Sequence, residues 1–211
     1  MTFCTLGNIM DKASAAFVLI ALAIFILPSH QARAMELAAK GDTIFLGGAI
    51  KPGDAINFKA FVDQAPKGTY RNVFLASGGG FVIEAIEIGR AIREAHLTTI
   101  VDAGKAFCAS ACTAIFMSGT RRVYLNTAGL RDGPGSGSVH GLGFHNGSAA
   151  ASLASDHYSG QASALMIDAY YEFGCPRAAD VITKAPPNSI FILSGKTALA
   201  LGIATSLGGK S

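Results

Sequence analysis

The sequence contains little charge, and its charged residues do not cluster. Only 15% of the 211 residues are charged, the formal net charge is +3, and the lysines and arginines are scattered along the chain. A nucleic-acid groove or a polybasic membrane patch would need a concentration of basic side chains, so both kinds of partner are disfavoured. The chain also lacks tryptophan and any visible internal repeat. Its length suits one well-buried domain and is too short for two.

The N-terminal segment 1–34 is typical of a secretory signal peptide. Lys12 precedes an uninterrupted apolar run from Ala15 to Leu27, and a proline and the small-residue site Ala32-Arg33-Ala34 follow. A short apolar core between a basic residue and an A-x-A site predicts export with cleavage near Ala34.

An uncleaved membrane anchor is the alternative for this segment, because the region before the apolar run is long and Asp11 reduces its net positive charge. The apolar run is, however, shorter than the roughly 20 residues that span a bilayer. We therefore expect residues 35–211 to form one domain that is periplasmic or secreted. If the anchor stays uncleaved, the domain is expected to face the periplasm from the membrane.

Cysteine is scarce, and its count is odd once the leader is removed. Loss of Cys4 would leave Cys108, Cys112 and Cys175, which implies a free thiol or an intermolecular bond in an exported protein. On a helix, Cys108 and Cys112 would share one face and Ser110 would point roughly the opposite way. We expect both cysteines to pack inward as small apolar residues. A disulfide from Cys175 to one of them is the alternative.

Strand and helix patterns alternate at short intervals through the middle of the chain. Short apolar runs bounded by turn residues predict strands at 42–50, 72–76, 98–101 and 121–125. Apolar residues at helical spacing predict helices at 55–64 and 81–95, and the nearly all-apolar segment 107–117 predicts a buried helix. This alternation indicates a single α/β domain with a largely parallel sheet.

The segment 126–147 interrupts this rhythm. It is rich in glycine, and its Gly-Pro-Gly-Ser-Gly-Ser run predicts a flexible loop. The loop ends at Gly141-Leu-Gly-Phe-His145, which places His145 in an apolar strand context. The remaining sequence predicts helices at 162–173, 176–177 and 196–201, a turn at 186–188 and a strand at 190–193.

Two short segments could carry chemistry. Gly78-Gly79-Gly80 ends a strand, where glycine lets the backbone and its N–H groups approach a reacting group without side-chain collision. Ser110 lies in Cys-Ala-Ser-Ala-Cys at the start of an apolar helix, whose dipole and free N–H groups favour developing negative charge. A serine hydroxyl needs a base to remove its proton. His145 is the candidate base, and His140 is the alternative.

Each of these features also has a purely structural explanation. A serine among alanines is commonly small packing, and three glycines can simply form a tight strand-to-helix turn. His145 could be a hydrogen-bonded core histidine at a strand end.

The order and spacing of these pieces resemble the ClpP/crotonase superfamily, and more narrowly the exported, ClpP-like periplasmic proteins. The resemblance runs from about Ile44 to Thr205 and is strongest at Gly78–Gly80, Ala106–Gly119 and Gly143–His145. It implies a spiral of ββα units in one domain. It also implies a homo-oligomer, such as a trimer or a larger ring, and a peptide or protein substrate. We expect neither a cofactor nor a metal.

The resemblance also implies a role for each candidate site residue. Ser110 corresponds to the nucleophile and His145 to the general base of ClpP-type enzymes. The peptide N–H of Ala111, with that of Gly80 or Gly79, corresponds to the oxyanion hole.

Two positions depart from the ClpP pattern. Gly78 stands where ClpP-type enzymes carry the proline of Pro-Gly-Gly. Where they carry the aspartate that orients the histidine, this chain reads Ala-Pro-Pro-Asn-Ser-Ile, so Asn188 is the nearest match and Asp180 is an alternative. An asparagine can orient a histidine without stabilising the imidazolium as a carboxylate does. The sequence is therefore compatible with slow or absent turnover.

The function that these residues favour is an exported serine hydrolase, a peptidase that acts by acyl transfer at Ser110. In signal-peptide-peptidase-like relatives the base is a lysine, for which Lys105 and Lys184 are available. The second hypothesis is a non-catalytic protein of the same fold that binds a peptide or acyl group or serves as an assembly surface. The missing aspartate favours that second hypothesis.

Two other kinds of site are disfavoured. A strand, Gly78-x-Gly80, a helix and Asp102 superficially match a dinucleotide-binding unit, but Ile83 occupies the position of its third glycine. The cysteine pair could suggest zinc, but the spacing lacks a second pair of ligands.

Overall fold

The computed structural model describes residues 35–135, 140–148 and 157–208. The predicted signal peptide and part of the predicted flexible loop lie outside the described residues. The described strands are β1 Glu36–Lys40, β2 Thr43–Gly47, β3 Asn72–Ala76, β4 Thr98–Asp102, β5 Phe107–Ala109, β6 Arg121–Leu125, β7 Gly133–Pro134, β8 Gly141–Phe144, β9 Phe191–Leu193 and β10 Ser206–Gly208. The described helices are α1 Asp54–Asp63, α2 Val82–Glu94, α3 Ala111–Ser118, α4 Gly160–Glu172, α5 Ala179–Ile182 and α6 Gly195–Ala200, with a 3₁₀ turn at Pro176–Ala178.

Six strands form the main sheet, in the order β1-β2-β3-β4-β6-β10. Strand β1 pairs antiparallel with β2 at one edge, and the other neighbours are parallel. Alternate residues of β2 and β3, such as Ile44, Leu46, Val73 and Leu75, are fully buried on one face, as the two-residue period of a strand requires. The predicted α/β domain with a largely parallel sheet is therefore confirmed.

Helices α2 and α3 pack together beneath this sheet and form the centre of the core. Helix α2 buries Ile88 and Ile92 and exposes its charged face, which is the helical spacing that the sequence shows. Every residue of α3 is buried. This burial on all sides explains why the helix is apolar around its whole circumference. Among the described residues, no helix is both long and apolar enough to cross a membrane.

A smaller sheet lies beside the main one, in the order β5-β8-β9-β7. Its strands β5 and β8 run parallel, and β9 is antiparallel to β8. Tyr124 of β6 joins the two sheets, because its hydroxyl donates to the Leu193 carbonyl at 3.0 Å and accepts the Leu142 N–H at 2.9 Å. Burial raises the pKa of this phenol to about 12. The bond to Leu142 fixes β8, which leads directly into His145.

The predicted helix over 107–117 is wrong at its start. Residues 107–109 form strand β5, a turn follows at Ser110, and helix α3 begins at Ala111. A continuous apolar run has no period that separates a strand from a buried helix. Pairing with β8 decides the question, and β8 itself lies inside the segment predicted as a loop. The sequence patterns also did not predict the edge strands β1 and β10.

Candidate active site

Ser110 occupies a strained turn between β5 and α3. Its backbone has φ 55° and ψ −129°, and a positive φ is unusual and costly for a residue with a Cβ. The Ser110 N–H donates to the Gly143 carbonyl at 3.0 Å, and the Ser110 carbonyl accepts bonds from the Thr113 N–H at 2.9 Å and the Thr113 hydroxyl at 2.6 Å. Ala109 and Ala111 are fully buried, whereas Ser110 is partly exposed. A sharp strand-to-helix turn of this kind exposes the serine side chain at the end of the strand.

A disulfide joins Cys108 to Cys112 and closes around this turn. The prediction that both cysteines pack as unbonded apolar residues is therefore wrong, as is the alternative bond to Cys175, which is a free, buried thiol. The error follows from the misplaced helix start. Because Cys108 lies on a strand and Cys112 on a helix, the reversal at Ser110 brings their Cα atoms to 5.3 Å, a spacing that a disulfide spans.

Removing this disulfide is expected to loosen the turn that holds Ser110. In the double variant Cys108→Ala, Cys112→Ala, the free energy of unfolding should fall by about 2 kcal/mol because the closed loop is short. Reaction of Ser110 with a fluorophosphonate should slow roughly tenfold to a hundredfold, since small displacements of a nucleophile have effects of this size. Denaturant unfolding and labelling kinetics measure the two effects.

The control for the disulfide is Cys175→Ala, which removes a buried thiol that forms no disulfide. This variant should label at the wild-type rate. Equal labelling by the double variant and wild type would show that the disulfide does not position Ser110.

The glycine turn (residues 78–80) lies directly against the Ser110 turn. A Cβ on Gly79 would lie 2.7 Å from the Ser110 Cβ and 2.8 Å from the Ala109 carbonyl oxygen, and Gly79 has φ 99°. A Cβ on Gly80 would lie 2.2 Å from the Ile50 carbonyl oxygen. Both positions therefore require glycine, for the close approach and for the positive φ, which is 144° at Gly80.

Two backbone N–H groups beside Ser110 form no hydrogen bond to another described residue. They belong to Gly80 and Ala111. The Gly80 N–H points away from Ile50, because the parallel bridge between these residues uses Gly79 O and Phe81 N–H instead. The Ala111 N–H is at the start of α3, where helical N–H groups lack intrahelical partners. The Gly79 N–H donates to the Ser77 hydroxyl at 3.1 Å, which favours Gly80 over Gly79 as the oxyanion donor.

His145 emerges from the strand next to Ser110. Strands β5 and β8 are parallel with Ala109 opposite Gly143, so both chains leave the small sheet at the same end. His145 is buried, and its Nδ1 lies 2.7 Å from the Asn146 carbonyl oxygen. Since a carbonyl only accepts, Nδ1 carries the proton and Nε2 has the free lone pair that a general base needs.

Burial lowers the pKa of His145 below its ordinary value, and the bond to the Asn146 carbonyl partly opposes that effect. Burial therefore favours the neutral ring over the imidazolium. Within the described part of the chain, no hydrogen bond joins His145 to the Ser110 hydroxyl. Catalytic hydrogen bonds of this kind often tighten only when substrate is bound.

The structure places a backbone carbonyl, rather than a side chain, behind His145. Asn188 is exposed in a turn, and Asp180 is exposed on α5. Among the hydrogen bonds of the described residues, none joins either of them to His145, so their predicted orienting role stays a prediction. Asn146 is itself held in place, because its backbone N–H and its side-chain amide both donate to the Ala185 carbonyl.

The alternative bases are all exposed. His140 precedes β8, Lys105 follows β4, and the Lys184 ammonium lies 5.5 Å from the centre of the Phe191 ring. Among the described residues, no group of three potential metal-ligating side chains is found. A cavity of about 500 Å³ lies elsewhere, between α1 and α2, with Lys59, Tyr70 and His96 in its lining.

Several residues that shape the site were not found from the sequence. The Gly143 and Asn146 carbonyls act through the backbone, which leaves no signal in residue type. Thr113 contacts both Ser110 and the buried Tyr170 hydroxyl, a contact that depends on how α4 packs. The cysteines placed two residues on either side of Ser110 were a usable signal, because a bond between them requires the chain to turn there.

The comparisons with known proteins concern the fold. No family model and no curated protein sequence matches this chain. A mutant of a membrane-bound stomatin-specific protease is similar with a TM-score of 0.54 and 15% identity over 81% of each chain. A mutant of the same protease in complex with a substrate peptide has a TM-score of 0.53 and 14% identity over 81% of this chain and 76% of that one.

A mutant of ClpP1 from Listeria monocytogenes is similar with a TM-score of 0.51 and 16% identity, over 80% of this chain and 92% of that one. At such identities the likeness shows the fold alone. The fold predicted from the sequence, of the ClpP/crotonase type, is therefore confirmed.

Proposed function

We propose that this chain, which has the fold of ClpP-like proteases, is an exported serine hydrolase that cleaves peptide bonds by acyl transfer at Ser110. The observation that carries the proposal is the strained turn at Ser110, which lies beside two N–H groups without partners among the described residues, with His145 directly after the neighbouring strand. Strain of this kind persists only where the surrounding structure holds it, and it occurs preferentially at active sites.

In the proposed reaction, Ser110 Oγ attacks the carbonyl carbon of the substrate while His145 Nε2 takes the hydroxyl proton. The carbonyl electrons move to the oxygen, which the Gly80 and Ala111 N–H groups stabilise. His145 then gives its proton to the leaving nitrogen as the C–N bond breaks, and an ester on Ser110 remains. Water attacks this ester and returns a proton through His145, which releases the acid and restores Ser110.

The choice of a peptide substrate rests on the fold likeness. The three similar structures described above are a ClpP1 and two forms of a stomatin-specific protease, and one of them contains a substrate peptide. Export, from the predicted leader, and assembly into a homo-oligomer, from the family resemblance, are parts of the same proposal. Gel filtration of the exported protein tests the assembly.

A fluorophosphonate reagent tests the proposed nucleophile directly. It reacts with a serine only when a base and an oxyanion hole activate the hydroxyl. We expect one adduct per chain, and mass spectrometry of the digested protein should locate it on the peptide that contains Ser110. Denatured protein is the control and should not react. A folded protein that forms no adduct would contradict the hydrolase proposal.

The pH dependence of this labelling should report the pKa of His145. Because burial disfavours the imidazolium, the folded pKa lies below the ordinary value of about 6.5. The labelling rate should therefore reach half of its maximum at a pH below 6.5 and fall further at more acidic pH, as His145 gains a proton. If labelling instead reached half of its maximal rate at or above pH 6.5, the result would be inconsistent with His145 as the base.

The second candidate function is binding of a peptide or acyl group without catalysis. The observation that favours it is the neutral carbonyl behind His145, which fixes the ring but adds no negative charge to stabilise an imidazolium. For this candidate we expect no fluorophosphonate adduct in a protein that is nevertheless folded.

A further inference from the structure

Asp54, at the start of α1, is one of two buried carboxylates among the described residues. Its side chain is 4% exposed. Within the described part of the chain, no lysine, arginine or histidine forms an ion pair with it. A buried carboxylate is costly unless it is paired with a cation or fully hydrogen-bonded. Its short bond is from the Lys51 N–H, at 2.6 Å.

The other donor to Asp54 is the backbone nitrogen of Met35, which lies 3.3 Å from both carboxylate oxygens. One peptide N–H is shared between the two oxygens in a bifurcated bond, and both contacts are long for an N–H···O hydrogen bond. An ammonium at the same position has three N–H donors and a positive charge, and it could serve both oxygens at once. Met35 is also the residue that follows Ala34, at which the sequence predicts signal-peptide cleavage.

We propose that cleavage after Ala34 converts the Met35 nitrogen into an α-ammonium that forms a buried ion pair with Asp54. In this step a leader peptidase hydrolyses the Ala34–Met35 peptide bond with water. The hydroxyl adds to the Ala34 carbonyl carbon, the C–N bond breaks, and the proton goes to the nitrogen. At neutral pH the products are the Ala34 carboxylate and the Met35 ammonium, which needs little movement to reach Asp54.

This ion pair connects to the glycine turn of the candidate active site. Asp54 holds the Lys51 N–H, and the preceding residue, Ile50, is hydrogen-bonded to the glycine turn on both sides. The Ile50 N–H donates to the Gly79 carbonyl at 2.9 Å, and the Ile50 carbonyl accepts the Phe81 N–H at 3.1 Å. Cleavage therefore fixes the segment that orients the Gly80 N–H. This catalytic consequence rests on the proposed function, whereas the ion pair does not.

The first test uses the full chain, exported and processed in a bacterial host. Intact mass should place the mature N-terminus at Met35. The α-amine should then react with an amine-reactive acylating reagent roughly tenfold more slowly than in Asp54→Asn, which corresponds to a pKa raised by about one unit by the carboxylate. A mature chain that begins at another residue, or equal reactivity in both proteins, would overturn the proposal.

The second test compares the stability of the processed proteins. Asp54→Asn keeps the shape of the side chain but leaves the ammonium unpaired, so the melting temperature should fall by about 10 °C. The control is Asp63→Asn, at the exposed end of the same helix, where the carboxylate pairs with Lys59 on the surface. That variant should melt within about 2 °C of wild type.

A variant whose signal peptide cannot be cleaved distinguishes the contribution of the ion pair from the other effects of Asp54 on stability. Asp54 lies in the first turn of α1, where a carboxylate also favours the helix dipole, but that effect is the same before and after cleavage. In the Ala34→Leu background, which removes the small residue at the cleavage site, Asp54→Asn should therefore cost much less stability. Equal losses in both backgrounds would overturn the proposal.

Fluorophosphonate labelling then separates the two proposals. The processed protein should label at least roughly tenfold faster than the uncleaved Ala34→Leu protein, because a displaced oxyanion donor costs this much or more. Equal labelling would overturn the connection to the glycine turn. Suppose that neither protein is labelled, but the α-amine reactivity and the melting temperatures change as the first two tests expect. The hydrolase proposal then fails and the ion-pair proposal is supported.

Discussion

Ser110→Ala is expected to abolish hydrolysis, with a loss of about 10⁴-fold to 10⁶-fold relative to wild type. Alanine keeps the small volume at the turn and removes the one atom that would form the acyl bond in the proposed reaction. Residual catalysis would come from the Gly80 and Ala111 N–H groups alone. The measurement is the cleavage of fluorescently labelled casein together with fluorophosphonate labelling, both of which should fall to background. His145→Gln should cost nearly as much, and the losses should not add, because the two residues act as a unit.

The control for this variant is Ser118→Ala, at the other end of the same helix. Ser118 is buried, and its hydroxyl donates to the Ile115 carbonyl at 2.7 Å. Its removal should cost about 1 kcal/mol of stability and leave labelling unchanged. If the Ser110→Ala variant still cleaves casein at the wild-type rate, the cleavage does not depend on Ser110, whether it comes from this protein or from a contaminating protease.

Gly79→Ala is expected to have the second largest effect, because its methyl group has no room beside the nucleophile. The new Cβ would lie 2.7 Å from the Ser110 Cβ, 2.8 Å from the Ala109 carbonyl oxygen and 3.0 Å from the Ala111 nitrogen. Two of these atoms belong to the backbone and cannot rotate away, and φ 99° adds strain of about 1–3 kcal/mol. We expect the free energy of unfolding to fall by about 3 kcal/mol and labelling to slow by roughly 10²-fold or more.

The matched control is the adjacent Gly78→Ala. A Cβ on Gly78 meets nothing within 4 Å, and Gly78 is not among the glycines with positive φ. This variant should label normally and be as stable as wild type or slightly more stable, by about 0.5 kcal/mol, because the unfolded chain loses freedom. Similar defects in both variants would mean that the glycine turn tolerates no side chain at all, and that contact with Ser110 is not the cause.

The elements that the sequence predicts well are those with a clear period and a clear end. Strands β3 and β6 have the predicted bounds, 72–76 and 121–125. Helix α2 is close to its prediction because one face is apolar and the other is charged. Strand β5 was missed because its three residues continue without a break into the apolar helix α3, and a run that is apolar throughout shows no period.

Strands β1 and β8 were not predicted for a different reason. Strand β1 reads Glu-Leu-Ala-Ala-Lys and is mostly exposed, so neither burial nor alternation marks it. Its identity as a strand depends on pairing with β2 along its whole length. Strand β8 is short and glycine-rich and gains its order from β5, β9 and the Tyr124 hydroxyl. Such pairing between distant segments leaves no local signal.

The sequence by itself determined the fold class and the candidate residues of the site. Apolar periodicity depends on local spacing, and glycine and serine in their particular surroundings are chemical identities, so both can be read along the chain. Tertiary structure alone decided that Ser110 lies in a turn, that Cys108 and Cys112 are bonded across it, and that a carbonyl stands behind His145. These features depend on backbone groups and on contacts between segments far apart in the chain. The path of the backbone determines which group a backbone N–H or carbonyl is hydrogen-bonded to. Because every residue type other than proline has the same backbone groups, the sequence carries no signal for this partner.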